Sequence, residues 1–148
     1  MLAFEKKEII RENKDIVFGF ISNPNNLVKY GKDVVKVEIF GSKDNISIGT
    51  KINETRLFGK KEISAVIEVS HYLLNDEIAF QSKSVGMSIT YFYSLKAIGS
   101  GTELSLKCFI KSNIIMKIFV PAMRKMLLKQ DGDHLTRIKE VIEGYERK

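Results

Sequence analysis

The chain has 148 residues, 44% of them hydrophobic and 28% charged, with a net charge of +6, one cysteine and no tryptophan. That length suits a single domain, 1–148, able to bury roughly 70% of the surface its unfolded chain exposes without a disulfide or structural metal. The basic excess admits an acidic partner, but there is no arginine-rich tract, zinc-finger spacing or aromatic RNA-binding consensus, so no nucleic acid is expected.

Residues 1–12 mix acids with bases and hold no continuous apolar run, so no secretory signal is expected and the chain is read as soluble and cytoplasmic. Ala3 to Ile10 has strand character. Asn13 can cap a helix over Lys14 to Ile21, where Ile16, Val17, Phe20 and Ile21 recur at helical spacing. Ser22-Asn23-Pro24 breaks that helix and starts a second short one, since proline suits a first helical turn. It runs to about Tyr30, and Gly31 stops it.

The period then changes from helical to two. Val35, Val37 and Ile39 alternate with charges, and 41–49 reads as a polar turn region. Thr50 to Leu57 is a third strand, closed by the hairpin signal Phe58-Gly59-Lys60. Lys61 to Tyr72 alternates so that Ile63, Ala65, Ile67, Val69 and His71 share one face. Asn75-Asp76 turns into a strand with Ile78, Phe80, Ser82 and Ser84 together. Val85-Gly86 leads tightly into Met87 to Ala97, where Met87, Ile89, Tyr91, Tyr93 and Leu95 form one face. After Gly99-Ser100-Gly101 the last strand carries Leu104, Leu106, Cys108 and Ile110. Cys108 is read as a buried apolar thiol.

From Asn113 onward the pattern is helical, with Val120, Met123, Leu127, Leu135, Ile138 and Ile142 on an apolar stripe. Its apolar beginning, Ile114 to Val120, is interrupted by Lys117 and falls short of the roughly 20 residues that cross a bilayer. Pro121 either lies in the first turn or kinks the helix. Asp131-Gly132-Asp133 is a weak point, because glycine within a helix costs ~1 kcal/mol relative to alanine. Seven strands in an antiparallel meander, interrupted early by two short helices and closed by one long helix, predict an α+β fold.

Three stretches give that pattern a family likeness. Asp15-Ile16-Val17-Phe18-Gly19-Phe20-Ile21-Ser22-Asn23-Pro24-Asn25-Asn26-Leu27 resembles the first helix and Asn-Pro break of the START-like, helix-grip (SRPBCC) superfamily. Ile48-Gly49-Thr50 resembles the start of its third strand, and Gly99-Ser100-Gly101-Thr102-Glu103-Leu104 its Gly-Thr hairpin. The likeness covers nearly the whole chain, and Tyr30 departs from it where a tryptophan is frequent. It implies a helix-grip fold, a curved seven-stranded sheet wrapped around the C-terminal helix, enclosing a deep apolar cavity. Members include the polyketide cyclase/dehydrase family, pollen-allergen-like proteins and lipid-transfer domains. The resemblance therefore implies binding or transport of a hydrophobic small molecule, with a cyclase/dehydrase-like enzyme or a protein-interaction module as alternatives. It implies no cofactor.

Candidate ligand-binding residues follow from the faces. Ile52, Glu54 and Arg56 share one face of the third strand. If Ile52 marks the interior, an acid and a base enter the cavity, where they orient a polar head group or polarise a carbonyl. Otherwise they form a cross-strand ion pair on the exterior. Ile67, Phe80 and Leu106 belong to the apolar faces. His71 either projects toward the cavity mouth or rests on the surface. Tyr91 and Tyr93 need hydrogen-bond partners if buried, in the core or on a ligand oxygen. Phe119, Met123 and Met126 extend the set onto the terminal helix, where flexible thioethers suit variable apolar surfaces.

His134, beside Asp131 and Asp133, reads as a solvated helix position. Two histidines without H-x-x-x-H spacing give no metal site. There is no nucleophile elbow, Walker loop or dinucleotide fingerprint. Finally, Lys111 to Lys129 has five basic residues and no acid beside the cluster Ile114, Ile115, Met116, Ile118, Phe119 and Val120. Either this segment makes transient contact with an anionic membrane, or its apolar residues are buried and its lysines solvated.

Overall fold

The period-two segments pair edge to edge. In the computed structural model, which describes residues 1–41 and 46–144, they are β1 (Leu2–Ile10), β2 (Val34–Ile39), β3 (Lys51–Phe58), β4 (Lys61–Leu73), β5 (Glu77–Ser84), β6 (Met87–Ile98) and β7 (Gly101–Ser112). All lie in one antiparallel sheet, in the spatial order β1-β7-β6-β5-β4-β3-β2. Two-residue loops, Gly59-Lys60, Val85-Gly86 and Gly99-Ser100, fix the register of three of its hairpins. The polar turn expected over 41–49 lies in part outside the described residues.

Three ladder irregularities bend the sheet, between Leu2 and Phe4, Val34 and Lys36, and Val69 and His71. Bulges of this kind kink a strand and increase its twist. The resulting curve holds the helices on its concave side, which is the helix-grip arrangement.

Between β1 and β2 run α1 (Lys14–Ile21), a 3-10 turn over Pro24–Asn26, and α2 (Leu27–Tyr30). Asn13 occupies the cap position of α1 but works through its carbonyl, which accepts from the Ile16 and Val17 amides at 3.1 Å. At the restart the Asn23 side chain accepts from the Asn25 amide at 3.1 Å, with Pro24 in the first turn. Proline loses no bond there, because that N–H has no intrahelical partner.

After β7, a 3-10 turn over Met116–Phe119 leads into α3 (Val120–Asp131), α4 (His134–Lys139) and a π-helical turn over Glu140–Gly144. Pro121 lies in the first turn of α3. The weak point interrupts the long terminal helix, for Gly132 and Asp133 separate α3 from α4. A Cβ on Gly132 would collide with the Leu128 carbonyl oxygen, so the close approach at this break requires glycine.

Thr102, Leu104, Leu106, Cys108 and Ile110 alternate into the core from β7 and are all buried. They share that core with Val17, Phe18 and Ile21 of α1 and with Leu135, Ile138 and Ile142 beyond the break. Each such aliphatic or aromatic side chain stabilises by about 1.5–3 kcal/mol when fully buried. α3 and α4 pack on β1 and β7, and space opens between the helices and β3, β4 and β5. Among the described residues no helix is long and apolar enough to cross a membrane.

Candidate ligand cavity

That space is a cavity of about 280 Å³ between the sheet and the helices. Its size lies at the lower bound of small-molecule pockets, which run from roughly 300 to 1,000 Å³. Ile67 of β4, Phe80 of β5, Ile89 of β6, Leu27 of α2 and Leu127 of α3 form its apolar wall. Phe58, Ile63 and Met126 also line it and are each about half exposed, which marks the mouth.

A contiguous polar cluster interrupts this wall on the buried side. Alternation on β3 brings Glu54 and Arg56 into it together, with Arg56 Nε donating to Glu54 Oε1 at 2.8 Å. Arg56 Nη1 also donates to the Lys32 carbonyl at 3.0 Å. Both side chains are largely buried, so the exterior ion-pair reading is overturned. Their pairing is within one strand rather than across two.

The helix break supplies the opposite half. Asp131 ends α3 and His134 begins α4, and both are buried. The Tyr91 hydroxyl donates to Asp131 Oδ2, and Tyr93 Oη lies 2.6 Å from His134 Nε2. Tyr30 packs edge-on against the His134 ring, with centroids 4.9 Å apart. The solvated reading of His134 is therefore corrected. Asp131 and His134 stand at i+4 and i+7 from Leu127, on the register of the apolar stripe. That register, and not the residue types, was the signal for burial.

Asp131 Oδ1 and His134 Nδ1 have no hydrogen-bond partner among the described residues. Arg56 Nη1 lies 3.9 Å from that oxygen, while Arg137 Nη2 and His134 Nδ1 each lie 3.8 Å away. These separations are too long for direct hydrogen bonds and suit a bridging polar atom.

Burial dominates the protonation states here. It pushes Tyr91 far above the usual phenol value, and Asp131 adds to the effect. Burial raises Tyr30 in the same way, helped by Glu54 and Asp131. Tyr93 is raised by burial and by its neighbouring tyrosines. All three remain hydroxyl donors. Burial lowers His134 to about 4, against the pull of Asp131 and with help from Arg137 and Arg56, so its ring is neutral at physiological pH. Arg56 is opposed by burial, yet the adjacent Glu54 carboxylate holds its pKa above the ordinary value. On the strand behind Tyr91, burial and then Asp131 push the Cys108 thiol up to about 12, which leaves it inert.

The structure thus brings Glu54, Arg56, Ile67, Phe80, Tyr91 and Tyr93 to one cavity, with Met126 at its mouth. Ile52 and Leu106 are fully buried in the core instead. Met123 packs against the core from α3, and Phe119 is half exposed before α3 begins. His71 falls on the opposite face. The irregularity between Val69 and His71 shifts the alternation, so Val69 and Tyr72 face the core. His71 meets Glu77 at 2.9 Å and stacks on Phe92.

No family model matches the chain, and no curated protein matches it in sequence. Solved structures do resemble it. The di-domain ARO/CYC BexL from the BE-7585A biosynthetic pathway superposes with a TM-score of 0.76 at 9% identity, over 95% of this chain and 46% of that one. Ara h 8.0201 gives 0.72 at 15% identity, over 96% of this chain and 95% of that one. The polyketide-cyclase-like protein Cgl2372 from Corynebacterium glutamicum gives 0.65 at 13% identity, over 97% and 93%. These likenesses show the fold, the helix grip expected from the resemblance in sequence.

Proposed function

We propose that this chain binds a compact hydrophobic molecule, lipid, polyketide-like or aromatic, whose inner end carries a neutral hydroxyl. The observation that carries the proposal is the pair of buried atoms without a hydrogen-bond partner among the described residues, Asp131 Oδ1 and His134 Nδ1, in the polar cluster of a largely apolar cavity. If the Tyr93 hydroxyl donates to His134 Nε2, the neutral ring carries its proton on Nδ1. One ligand hydroxyl then accepts from Nδ1 and donates to Oδ1. A carboxylate cannot donate, and it would meet Asp131 as a like charge. Nor does the cluster offer surplus positive charge, because Arg56 is already neutralised by Glu54.

Calorimetric titration of delipidated protein with 2-naphthol, 2-naphthoate and naphthalene tests this. Naphthol is expected to bind roughly tenfold or more tightly than naphthoate, since a hydrogen bond to a charged group contributes about 1.5–3 kcal/mol. Three of the chain's five tyrosines line the cavity, and there is no tryptophan. Tyrosine fluorescence should therefore respond on the same titration. Saturable binding of none of these probes, nor of a fluorescent fatty acid, would remove the carrier reading. A cytoplasmic setting belongs to the same proposal and is checked by fractionating the host cell.

A cyclase/dehydrase-like enzyme is the second reading. It is favoured by the neutral His134 and the protonated Tyr91 and Tyr93 around one cavity, hydrogen-bonding groups placed to orient a reactive chain and polarise its carbonyls. The ARO/CYC description of two structural neighbours points the same way. It requires turnover of a reactive polyketide-like chain, lost on Arg56→Gln or Tyr91→Phe in protein that stays folded.

A further inference from the structure

Single exposed apolar side chains are ordinary on a protein surface, but a cluster of them at one end is not. The Val85-Gly86 loop and the segment following β7 meet at one end of the sheet. The Asn113 amide donates to the Gly86 carbonyl at 2.8 Å. A Cβ on Gly86 would sit 2.6 Å from the Asn113 side chain and 2.7 Å from Met116 Cγ. Around this junction Val85 and Ile114 are each 91% exposed, Ile115 80% and Ile118 79%. Their burial under the sheet, one of the two sequence readings, is thereby excluded. Antiparallel pairing puts the Gly59-Lys60 loop at the same end, next to half-exposed Phe58 of the cavity mouth.

Lysines surround these tips. Lys83 and Lys111 stand in one cross-strand row through Ser88, and Lys117 lies within the apolar segment. Lys60 lies in the neighbouring loop and Lys61 follows it. All five are exposed, and none has an ion pair among the described residues. Residues 104–130 contain no aspartate or glutamate, and Glu62 is the acid nearest the Gly59-Lys60 loop in sequence.

The composition chooses between partners. Protein interfaces gather aromatic residues, methionine and arginine at their centres and are depleted in lysine. Here the most exposed tips, Val85, Ile114, Ile115 and Ile118, are aliphatic, half-exposed Phe58 and Phe119 stand beside them, and the cations about them are lysines. An anionic bilayer takes up that pattern, with apolar side chains entering the acyl boundary and lysines at the headgroup level. We infer that this end of the sheet is a docking surface for an anionic phospholipid bilayer. Docking also turns the cavity mouth toward the lipid, which gives a hydrophobic ligand a dry path inward. That last consequence rests on the binding reading above; the docking does not.

Vesicle flotation tests the surface directly, with phosphatidylcholine alone and with phosphatidylcholine containing phosphatidylserine. Wild-type protein is expected to float with the anionic vesicles roughly tenfold better than with the neutral ones, and to be released by added salt. The triple variant Ile114→Ser/Ile115→Ser/Ile118→Ser should lose roughly tenfold or more of that binding. Its thermal midpoint should not fall, because those side chains are exposed. Lys83→Glu/Lys111→Glu/Lys117→Glu should lose the preference for phosphatidylserine. Equal binding to both vesicles, or flotation unaffected by the triple variant, overturns the inference. So does absence of flotation, whether the protein is monomeric or forms a dimer that the triple variant dissociates. Naphthol titration of the same triple variant separates this result from the carrier reading, since none of the three isoleucines lines the cavity.

Discussion

Acid should weaken this protein through His134, and the size of the effect can be worked out. The ring is buried and neutral, with burial lowering it from the usual 6.5 to about 4. Above pH 6.5 it is neutral in both the folded and the unfolded chain. As pH falls, the unfolded chain takes up the proton first, so stability declines until the native ring protonates near pH 4. The whole window is worth roughly 3 kcal/mol, of which about 2 kcal/mol is lost by about pH 5. For a chain of this length that corresponds to a fall in Tm of roughly 4–8 °C. Carboxylates titrate in the same range, so the measurement is the difference between wild type and His134→Gln, melted at steps from about pH 7.5 to about pH 5. The variant removes the steep part of the curve even if it lowers stability throughout. A difference that stays flat across the window, or an NMR titration of the His134 ring centred near 6.5, refutes the reasoning.

Two further outcomes follow from the packing. Tyr91→Phe removes the hydroxyl that donates to buried Asp131 Oδ2 and is expected to cost about 1–3 kcal/mol in urea denaturation; an unchanged midpoint contradicts that assignment. Gly19→Ala and Gly132→Ala should move stability in opposite directions. A Cβ at Gly19 meets nothing within 4 Å inside α1, so alanine should add roughly 0.5–1 kcal/mol there. At Gly132 it would collide with the Leu128 carbonyl and lower the thermal midpoint.

The sheet was legible because alternation is a property of consecutive residues, and Leu104, Leu106, Cys108 and Ile110 carry it without interruption. For His71 the sequence leaves two placements open, because one extra residue at a bulge inverts every later side chain and nothing in the pattern Val69-Ser70-His71 announces it. Glu54 and Arg56 were on the correct face, yet polarity argued for solvent. What overrides polarity is their mutual pairing, which alternation alone does not weigh. His134 was missed for the same reason, its stripe position outweighed by two neighbouring aspartates. The segment from Ile114 to Ile118 gave two readings because exposure depends on whether another element arrives to cover it. None among the described residues does.

The polar cluster is costly to the fold, and that cost bears on what it is for. Asp131 ends α3, where the helix dipole disfavours a negative charge. It is also withdrawn from water, which penalises the charged form further. Tyr91 satisfies one oxygen, but Arg56 and Arg137 remain near 4 Å from the other. A buried ion pair in such geometry stabilises little compared with apolar side chains of the same volume. Leucine-like residues at 131 and 134 would continue the stripe formed by Leu127, Leu135 and Ile138. They would fill the inner end of the cavity with contacts more favourable to folding. The break at Gly132, a second departure from the most stable helix, lies between these two polar residues. Stability alone accounts for neither the break nor the charges. On the binding reading proposed above, a ligand group that completes the bonds of Asp131 Oδ1 and His134 Nδ1 gives these two polar residues their reason, because it matches the two buried atoms left without a partner among the described residues.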